Sequence, residues 1–256
     1  MPPQVTWLGQ AGFLLEAAGT RILVDPFLAE HADRAYPPPG LDGVGSGCDW
    51  LFVTHDHLDH LDADSLPAIA ARSNARLRVV VPAPLADRVR ELAPDAEVIP
   101  VAPEAGVELG AAGRAVVVPA THADDPTDGY TEGGGRYVGY VFELDGVAIY
   151  HAGDTLVTGA LLAILGDMRI DVALLPVNGR NWFRERQGLA GNMDVREAVG
   201  VAREIGARVL VPIHWDLFAA NGERPGAVVD EVVATDALLH VVTLRRELPW
   251  VADVAR

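Results

Sequence analysis

The run Leu51-Phe52-Val53-Thr54-His55-Asp56-His57-Leu58-Asp59-His60 places three histidines and two aspartates within six positions, directly after an apolar strand. In an extended chain, His55 and His57 project to the same side, because they are two residues apart. The turn that follows can bring Asp59 and His60 to a neighbouring point. Imidazole and carboxylate groups together suit a borderline divalent cation. A polar surface loop is the alternative, but five such side chains after one strand favour a metal site.

Three further candidate ligands occupy the same kind of position. His122, Asp154 and His214 each follow closely on an apolar run of β-type residues. Taken singly, each histidine is equally well explained as a structural residue. Sheets present functional residues at one rim, where strands end. The common placement of His122, Asp154 and His214 after strands therefore predicts that their side chains converge with the His55–His60 cluster.

The composition argues against several rival chemistries. All 20 basic residues are arginine, and only three serines occur, none of them in a G-x-S-x-G elbow. The absence of lysine excludes Schiff-base catalysis, pyridoxal-phosphate attachment and the phosphate-binding lysine of a P-loop. Cys48 has no histidine near it in the sequence. Water activated by a metal is the natural alternative to a side-chain nucleophile.

Charge and hydropathy limit the partners that we expect. A net charge of -16 argues against nonspecific nucleic-acid binding. No apolar run approaches the roughly 18 residues of a membrane span, no basic signal start is present, and one cysteine fits a reducing compartment. We expect a cytoplasmic protein with a small-molecule substrate, no nucleic-acid or membrane partner, and a surface compatible with a homo-oligomer. No linker is visible, so residues 1–256 are expected to form a single domain.

The order of predicted elements indicates an α/β class. Strands first meander and then alternate with helices, in two halves that share no detectable repeat. Helices are predicted at 63–71, 84–92 and 193–205, with Asp62 and Asn192 as the N-caps of the first and third. Two packed sheets with helices outside would account for this order, and so would a three-layer α/β fold.

The run from Thr54 to His60 resembles the H-x-H-x-D-H signature of the metallo-β-lactamase superfamily, and the later candidates match its ligand positions in order and spacing. The resemblance covers nearly the whole chain. It implies a four-layer αββα sandwich with one or two divalent ions at one edge of the sheets. It assigns one metal to His55, His57 and His122, a second to Asp59, His60 and His214, and a bridging role to Asp154. Zn²⁺ and Mn²⁺ are expected, and Fe²⁺ is also compatible with these ligands.

Shorter segments are similar to the branch of that superfamily related to L-ascorbate-6-phosphate lactonase. They are Trp7-Leu8-Gly9-Gln10-Ala11-Gly12, Tyr150-His151-Ala152-Gly153-Asp154-Thr155, and His214 followed by Asp216. The resemblance implies a lactonase-like hydrolase whose metal-bound hydroxide attacks a small, anionic lactone, ester or phosphoester. Asp59 is the candidate catalytic carboxylate, which would orient the water or carry its proton.

Further residues are expected to support the site. Asp56, His151 and Asp216 are candidates for orienting the ligands. Asn178, Arg180, Arg184 and Arg186 are candidates for substrate binding, because guanidinium groups suit phosphate and carboxylate; a solvated, salt-bridged loop is the alternative. Residues 124–135 are expected to form a flap after His122. His31 and His240 are given structural roles.

Two other functions are alternatives to the hydrolysis of a small molecule. A nuclease or phosphodiesterase on the same fold predicts a basic groove and a nucleic-acid-binding appendage, and the acidic sequence indicates neither. A non-catalytic metal-binding domain predicts degraded ligands, whereas all seven positions are filled. An enzyme is therefore the favoured interpretation.

Overall fold

A computed structural model describes residues 1–125, 135–219, 222–235 and 238–254. Within these residues the strands form two seven-stranded sheets. The first sheet contains, in spatial order, β14 (Pro249–Val251), β1 (Gln4–Gly9), β2 (Gly12–Ala17), β3 (Thr20–Val24), β4 (Trp50–Phe52), β5 (Arg78–Pro82) and β6 (Glu97–Val101). The second contains β13 (His240–Val241), β12 (Val209–Ile213), β11 (Val172–Pro176), β10 (Val147–His151), β9 (Val138–Leu144), β8 (Gly113–Pro119) and β7 (Gly106–Glu108).

Each sheet begins as an antiparallel meander and continues with parallel strands. In the first sheet β1, β2 and β3 pair antiparallel, and β3 to β6 pair parallel. In the second sheet β7 to β10 pair antiparallel, and β10 to β13 pair parallel. The prediction that strands first form a meander and then alternate with helices is confirmed in both halves of the chain.

Helices cover the outer face of each sheet. They are α1 (Leu41–Val44), α2 (Leu66–Arg72), α3 (Ala86–Leu92), α4 (Gly159–Gly166), α5 (Trp182–Glu185), α6 (Val195–Glu204) and α7 (Pro225–Ala234). The apolar side chains of α1 to α3 pack on the first sheet, and those of α4, α6 and α7 pack on the second. The four-layer αββα sandwich is therefore confirmed, and the three-layer alternative is excluded.

The main core lies between the two sheets and joins them through aromatic side chains. The Phe52 ring meets the Tyr140 ring edge-on at 5.0 Å and the Phe142 ring at 4.9 Å. The parallel strands β11 and β12 are buried along their whole length, because sheet and helices cover both of their faces. Burial of this kind stabilises the fold by about 25 cal/mol for each Å² of apolar surface.

Two predicted helix starts are wrong by a few residues. The first helix of the three begins at Leu66, because Asp62 Oδ1 instead accepts hydrogen bonds from the amides of Asp64 and Ser65 in the turn before it. The third begins after Asp194, whose side chain forms a reciprocal capping box with Glu197. Asn192 is buried and donates to Asn178 Oδ1 at 3.2 Å, so it does not cap the helix.

Four strands end at the edge of the sandwich where the predicted ligands follow. They are β4 in the first sheet and β8, β10 and β12 in the second, and the last three run in one direction because β8 and β10 are both antiparallel to β9. Two hydrogen bonds join the sheets here. The Tyr140 hydroxyl donates to Val53 O at 2.6 Å, and Val138 N donates to Thr54 O at 3.1 Å.

Two further expectations concern the flap after His122 and membrane-spanning segments. Most of the predicted flap, residues 126–134, lies outside the described residues. Among the helices that are described, none has the length and apolar character that crossing a membrane requires.

Candidate metal centre

The structure brings all seven predicted ligands together in two adjacent groups. The ligand atoms of His55, His57, His122 and Asp154 lie within 4.8 Å of one another, and so do those of the group Asp59, His60 and His214. Asp154 faces both groups. Its Oδ1 lies 3.3 Å from His60 Nε2 and 3.2 Å from His214 Nε2, while its Oδ2 lies 3.7 Å from His122 Nε2.

The donors in these groups fit a divalent cation. Among the described residues, His55 Nε2, His60 Nε2 and Asp154 Oδ1 are buried without a hydrogen-bond partner. Buried polar atoms in folded proteins nearly always have a partner, so three such atoms at one point indicate a ligand. Nitrogen and oxygen donors without a thiolate suit Zn²⁺, Mn²⁺ or Fe²⁺.

Asp25 orients His60, and the sequence analysis did not identify it. This carboxylate follows β3, is fully buried, and accepts hydrogen bonds from Thr54 N at 2.8 Å, Thr54 Oγ1 at 2.6 Å and His60 Nδ1 at 2.7 Å. Because Nδ1 donates to Asp25, the lone pair of His60 Nε2 faces the ligand group. The only sequence signal was an aspartate at the end of an apolar strand.

Asp216 acts on the centre through Gln10. Asp216 Oδ1 accepts a hydrogen bond from Gln10 N at 3.0 Å, and Gln10 O accepts one from His214 N at 3.0 Å. The other carboxylate oxygen of Asp216 accepts from the Tyr36 hydroxyl at 2.6 Å and from Arg246 Nη1 at 3.2 Å. Asp216 therefore holds the turn between β1 and β2 against the backbone of a predicted ligand.

Asp56 contacts arginine rather than histidine. Its carboxylate accepts hydrogen bonds from Arg136 Nη2 at 2.8 Å and Arg136 Nε at 3.0 Å, and it lies 3.4 Å from Arg88 Nη1. The tautomer-fixing contact that was predicted for Asp56 is made by Asp25 instead. The physical reason is the alternation of side chains, which turns Asp56 away from the side shared by His55 and His57.

His151 supports the turn that carries Asp154. Its Nε2 donates to Ala11 O at 2.8 Å, and its Nδ1 accepts from Gly153 N at 3.2 Å. Burial lowers the pKa of His151. The side chain is fully buried and is not among the atoms of the two ligand groups. Its role as a residue that supports the site stays a prediction.

The electrostatics of the two groups differ. Burial, reinforced by the neighbouring His60, lowers the pKa of His55 well below its ordinary value, so the ring stays neutral. Burial alone would also lower the pKa of His60 and His214, but the combined attraction of Asp154 and Asp59, joined at His60 by Asp25, outweighs it and raises both. The carboxylates therefore make a positive charge favourable at the second group, and a bound cation would supply that charge.

A cavity of about 630 Å³ opens onto the centre. Five of the seven predicted ligands reach its wall, and the other lining residues are His31, Asp33, Leu58, Asp124, Gly188, Leu189, Ala190, Phe218 and Ala219. His31 had been given a structural role from the sequence, and its place in this wall was missed. Its Nδ1 accepts a hydrogen bond from Asp33 N at 3.2 Å.

The predicted substrate-binding residues contact other parts of the chain, and none of them is among the described lining residues of the cavity. Arg180 donates to Asn192 O at 2.8 Å and to Glu197 Oε1 at 2.7 Å. Arg184 donates to Asn178 O at 2.6 Å. Arg186 lies over the Trp182 ring at 4.8 Å. The cavity is instead reached by the residues just after this loop, Gly188 to Ala190.

Comparisons with known proteins agree with this geometry. The family model for the beta-lactamase superfamily domain matches residues 20–215. The chain belongs to the beta-lactamase superfamily. It is 34% identical over 235 residues to a UPF0173 metal-dependent hydrolase of Opitutus terrae, covering 87% of this chain and 93% of that one. It is also 34% identical over 228 residues to a metal-dependent hydrolase of Thermococcus kodakarensis, covering 87% and 88%.

A solved structure of another metallo hydrolase shares the fold. The metallo hydrolase Igni18 of Ignicoccus hospitalis superposes with a TM-score of 0.75 at 22% identity, covering 98% of each chain. The family model, the two relatives of 34% identity and the two His/Asp groups together show that the chain is a metal-dependent hydrolase of the superfamily. The closer likeness to the ascorbate-6-phosphate lactonase branch stays a prediction.

Proposed function

We propose that this hydrolase cleaves a small, neutral lactone or carboxylic ester in the cavity above the two ligand groups. The observation that carries the proposal is the wall of that cavity, which combines predicted metal ligands with apolar side chains and carboxylates. A volume of about 630 Å³ suits a small molecule. Leu58, Leu189 and Phe218 would contact the apolar part of the substrate.

The charges in the wall favour a neutral substrate over the anionic one that the sequence suggested. Besides the predicted ligands, Asp33 and Asp124 line the described part of the cavity, and no arginine does. Of the residues outside the described part, 126–134, 220–221 and 236–237 contain no lysine or arginine, and the C-terminal pair contains one arginine, Arg256. Outside the metal centre, an anionic substrate would therefore approach carboxylates without a guanidinium partner, and only the metal would attract its charge.

Asp59 is the residue to which we assign proton transfer. A divalent cation held by the two groups would lower the pKa of water at the site from near 16 to about 7. Burial alone would raise the pKa of Asp59, but His60 and His214 lower it, so the carboxylate is ionised at neutral pH. Asp59 also lines the cavity. It can therefore orient the attacking water and receive its proton.

His31 is suited to contact the substrate. Because its Nδ1 accepts from Asp33 N, the neutral ring carries its proton on Nε2. That nitrogen can donate a hydrogen bond to an oxygen of the ester or lactone. The ring packs against Phe27 in a tilted contact and against Phe218 edge-on, with ring centroids 6.4 Å and 5.8 Å away.

A substrate screen tests this proposal. Metal-free protein is reconstituted separately with Mn²⁺ and with Zn²⁺, and kcat/KM is measured for neutral and anionic lactones and esters, phosphodiesters and nucleotides. We expect metal-dependent hydrolysis, with the neutral lactones and esters at least about tenfold better than the anionic ones. A preference for phosphodiesters would support the phosphodiesterase alternative instead, and no metal-dependent turnover of any ester would overturn the proposal.

A further inference from the structure

Gln10 places a buried amide beside the second ligand group. It lies in the turn between β1 and β2, and 1% of its surface is exposed. The atom assigned as Nε2 lies 2.8 Å from Asp59 Oδ2 and 3.0 Å from His214 Nε2. It is therefore in contact with two of the three side chains that form this group.

The backbone fixes this position. Gln10 N donates to Asp216 and Gln10 O accepts from His214 N, so the turn is held on both sides. Gln10 and His214 both have positive φ angles, 53° and 62°. Residues held in this region of backbone space cluster at functional sites, because the surrounding structure has to stabilise them.

The amide is incompletely satisfied. Gln10 Oε1 is buried and has no hydrogen-bond partner among the residues that the structure describes. His60 Nε2 and Asp154 Oδ1, which belong to the metal centre, are in the same condition. A glutamine that only braced Asp59 would be expected to satisfy both ends of its amide.

A bound cation would change which end of the amide faces the group. The NH₂ hydrogens compete with a cation for the lone pairs of Asp59 and His214, whereas an amide oxygen in the same place is itself a ligand. The two ends have nearly the same shape, so a half-turn of the terminal amide exchanges them. The distances of 2.8 and 3.0 Å to Asp59 and His214 are ordinary separations between ligands that share one metal.

We propose that Gln10 is a further ligand of the cation at Asp59, His60 and His214, which it binds through Oε1. The inference rests on the metal-dependent hydrolysis proposed above and on a second metal at this group, which the family resemblance implies. An amide oxygen is a hard ligand and raises the coordination number of the site. The second position should therefore favour Mn²⁺ over Zn²⁺ more strongly than the first, which has three histidines.

Metal titration of three variants tests the assignment. Gln10→Leu removes the oxygen, and Gln10→Glu keeps it and adds charge. Gln4→Leu is the control, because Gln4 is exposed at the start of β1, the strand that leads into the turn with Gln10. Metal-free proteins are titrated with Mn²⁺, and bound metal is counted by elemental analysis. We expect two equivalents in the wild type, with the second dissociation constant raised at least about tenfold in Gln10→Leu, lowered in Gln10→Glu and unchanged in Gln4→Leu.

A spectroscopic measurement distinguishes a Gln10 that binds the metal from a Gln10 that only supports Asp59 by a hydrogen bond. With Co²⁺ as the probe, loss of one ligand lowers the coordination number and strengthens the visible absorbance of the second equivalent in Gln10→Leu. If Gln10 only hydrogen-bonds to Asp59, its loss leaves the coordination number and the spectrum unchanged. The assignment is overturned if Gln10→Leu binds its second equivalent like the wild type, if the spectra do not differ, or if the wild type binds one equivalent only. The substrate proposal survives each of these results, because it depends on turnover.

Discussion

Asp25 Oδ2 lies 2.7 Å from His60 Nδ1, and neither side chain is exposed to solvent. The same carboxylate accepts two hydrogen bonds from Thr54, so one aspartate at the end of β3 fixes both the start of the ligand loop and the ring of His60. A buried carboxylate with three donors around it is a rigid support. The orientation of the second ligand group therefore depends on a residue outside that group.

Replacing Asp25 by asparagine should weaken metal binding and the fold together. The new NH₂ group faces donors, so at least one buried donor of Thr54 or His60 loses its acceptor. We expect the free energy of unfolding to fall by about 1–3 kcal/mol and metal affinity to fall about 10- to 100-fold. Urea denaturation and metal titration measure the two effects. Asp42→Asn, at an exposed position on α1, is the control, and equal behaviour of the two variants would contradict the role of Asp25.

Gly153 should not tolerate a side chain, because it packs against Thr54. Its φ is 59°, and a Cβ there would lie 2.8 Å from Thr54 Cβ. Gly146 is a matched control: its φ is 82°, and a Cβ would meet nothing within 4 Å. We expect Gly146→Ala to cost about 1–2 kcal/mol of unfolding free energy and to keep its metal.

Gly153→Ala should cost more and should also lose metal affinity, because Asp154 is the next residue. Thermal unfolding and metal content of the two variants are to be compared. If Gly153→Ala matches Gly146→Ala in both measurements, the packing of Gly153 against Thr54 is not what positions Asp154.

Cys48 should be an inert thiol. Burial raises its pKa to about 12, so the native side chain stays protonated at neutral pH and cannot act as a nucleophile. A thiol reagent at pH 8 should fail to label the native protein and should label it in urea. Cys48→Ala should retain full activity, and rapid labelling of the native protein would contradict the burial.

The raised pKa of Cys48 also predicts that the free energy of unfolding falls at alkaline pH. Its folded pKa lies above the unfolded value of about 8.5, so its contribution is fully present below pH 8.5 and is lost as pH rises towards 12. The wild type should therefore lose about 1.4 kcal/mol per pH unit relative to Cys48→Ala between pH 9 and 11. Parallel stability curves for the two proteins would contradict this.

The charge of the cavity wall should affect substrate preference. Asp33 lines the cavity, and its side chain is 81% exposed. Because exposed charges interact weakly, Asp33→Asn should raise kcat/KM for an anionic ester only about two- to fivefold and leave the matched neutral ester unchanged. The gain should disappear at high salt. Asp87→Asn, on helix α3, is the control; an equal gain for both esters would rule out an electrostatic cause.

The sequence could group the predicted ligands because they follow strands, and the structure brings these side chains together. A strand that ends at a sheet edge delivers its next residues there, so His122, Asp154 and His214 could be grouped with the His55–His60 run from local patterns alone. The architecture followed from the family resemblance, since periodicity left two folds open. Helix boundaries were less accurate, because Asn192 and Asp194 are equally good caps by residue type.

The supporting residues could not be predicted in the same way. Asp25 and His60 are 35 positions apart, Asp56 and Arg136 are 80 apart, and Gln10 and His214 are 204 apart. A single polar residue after a strand looks like an ordinary turn residue until the two sheets are packed. The arginines of the 178–186 loop had the right chemistry for an anion, but their partners within the chain became visible only in three dimensions.

The most direct test of the metal centre is the metal content of His57→Ala beside that of His240→Ala. His57 lines the cavity within the first ligand group, whereas His240 is exposed on β13. Both purified proteins are dialysed against the same Mn²⁺ or Zn²⁺ buffer, and bound metal and hydrolysis are measured. The account predicts that His57→Ala loses metal and turnover while remaining folded, and that His240→Ala matches the wild type. A His57→Ala protein that kept both its metal and its activity would contradict it.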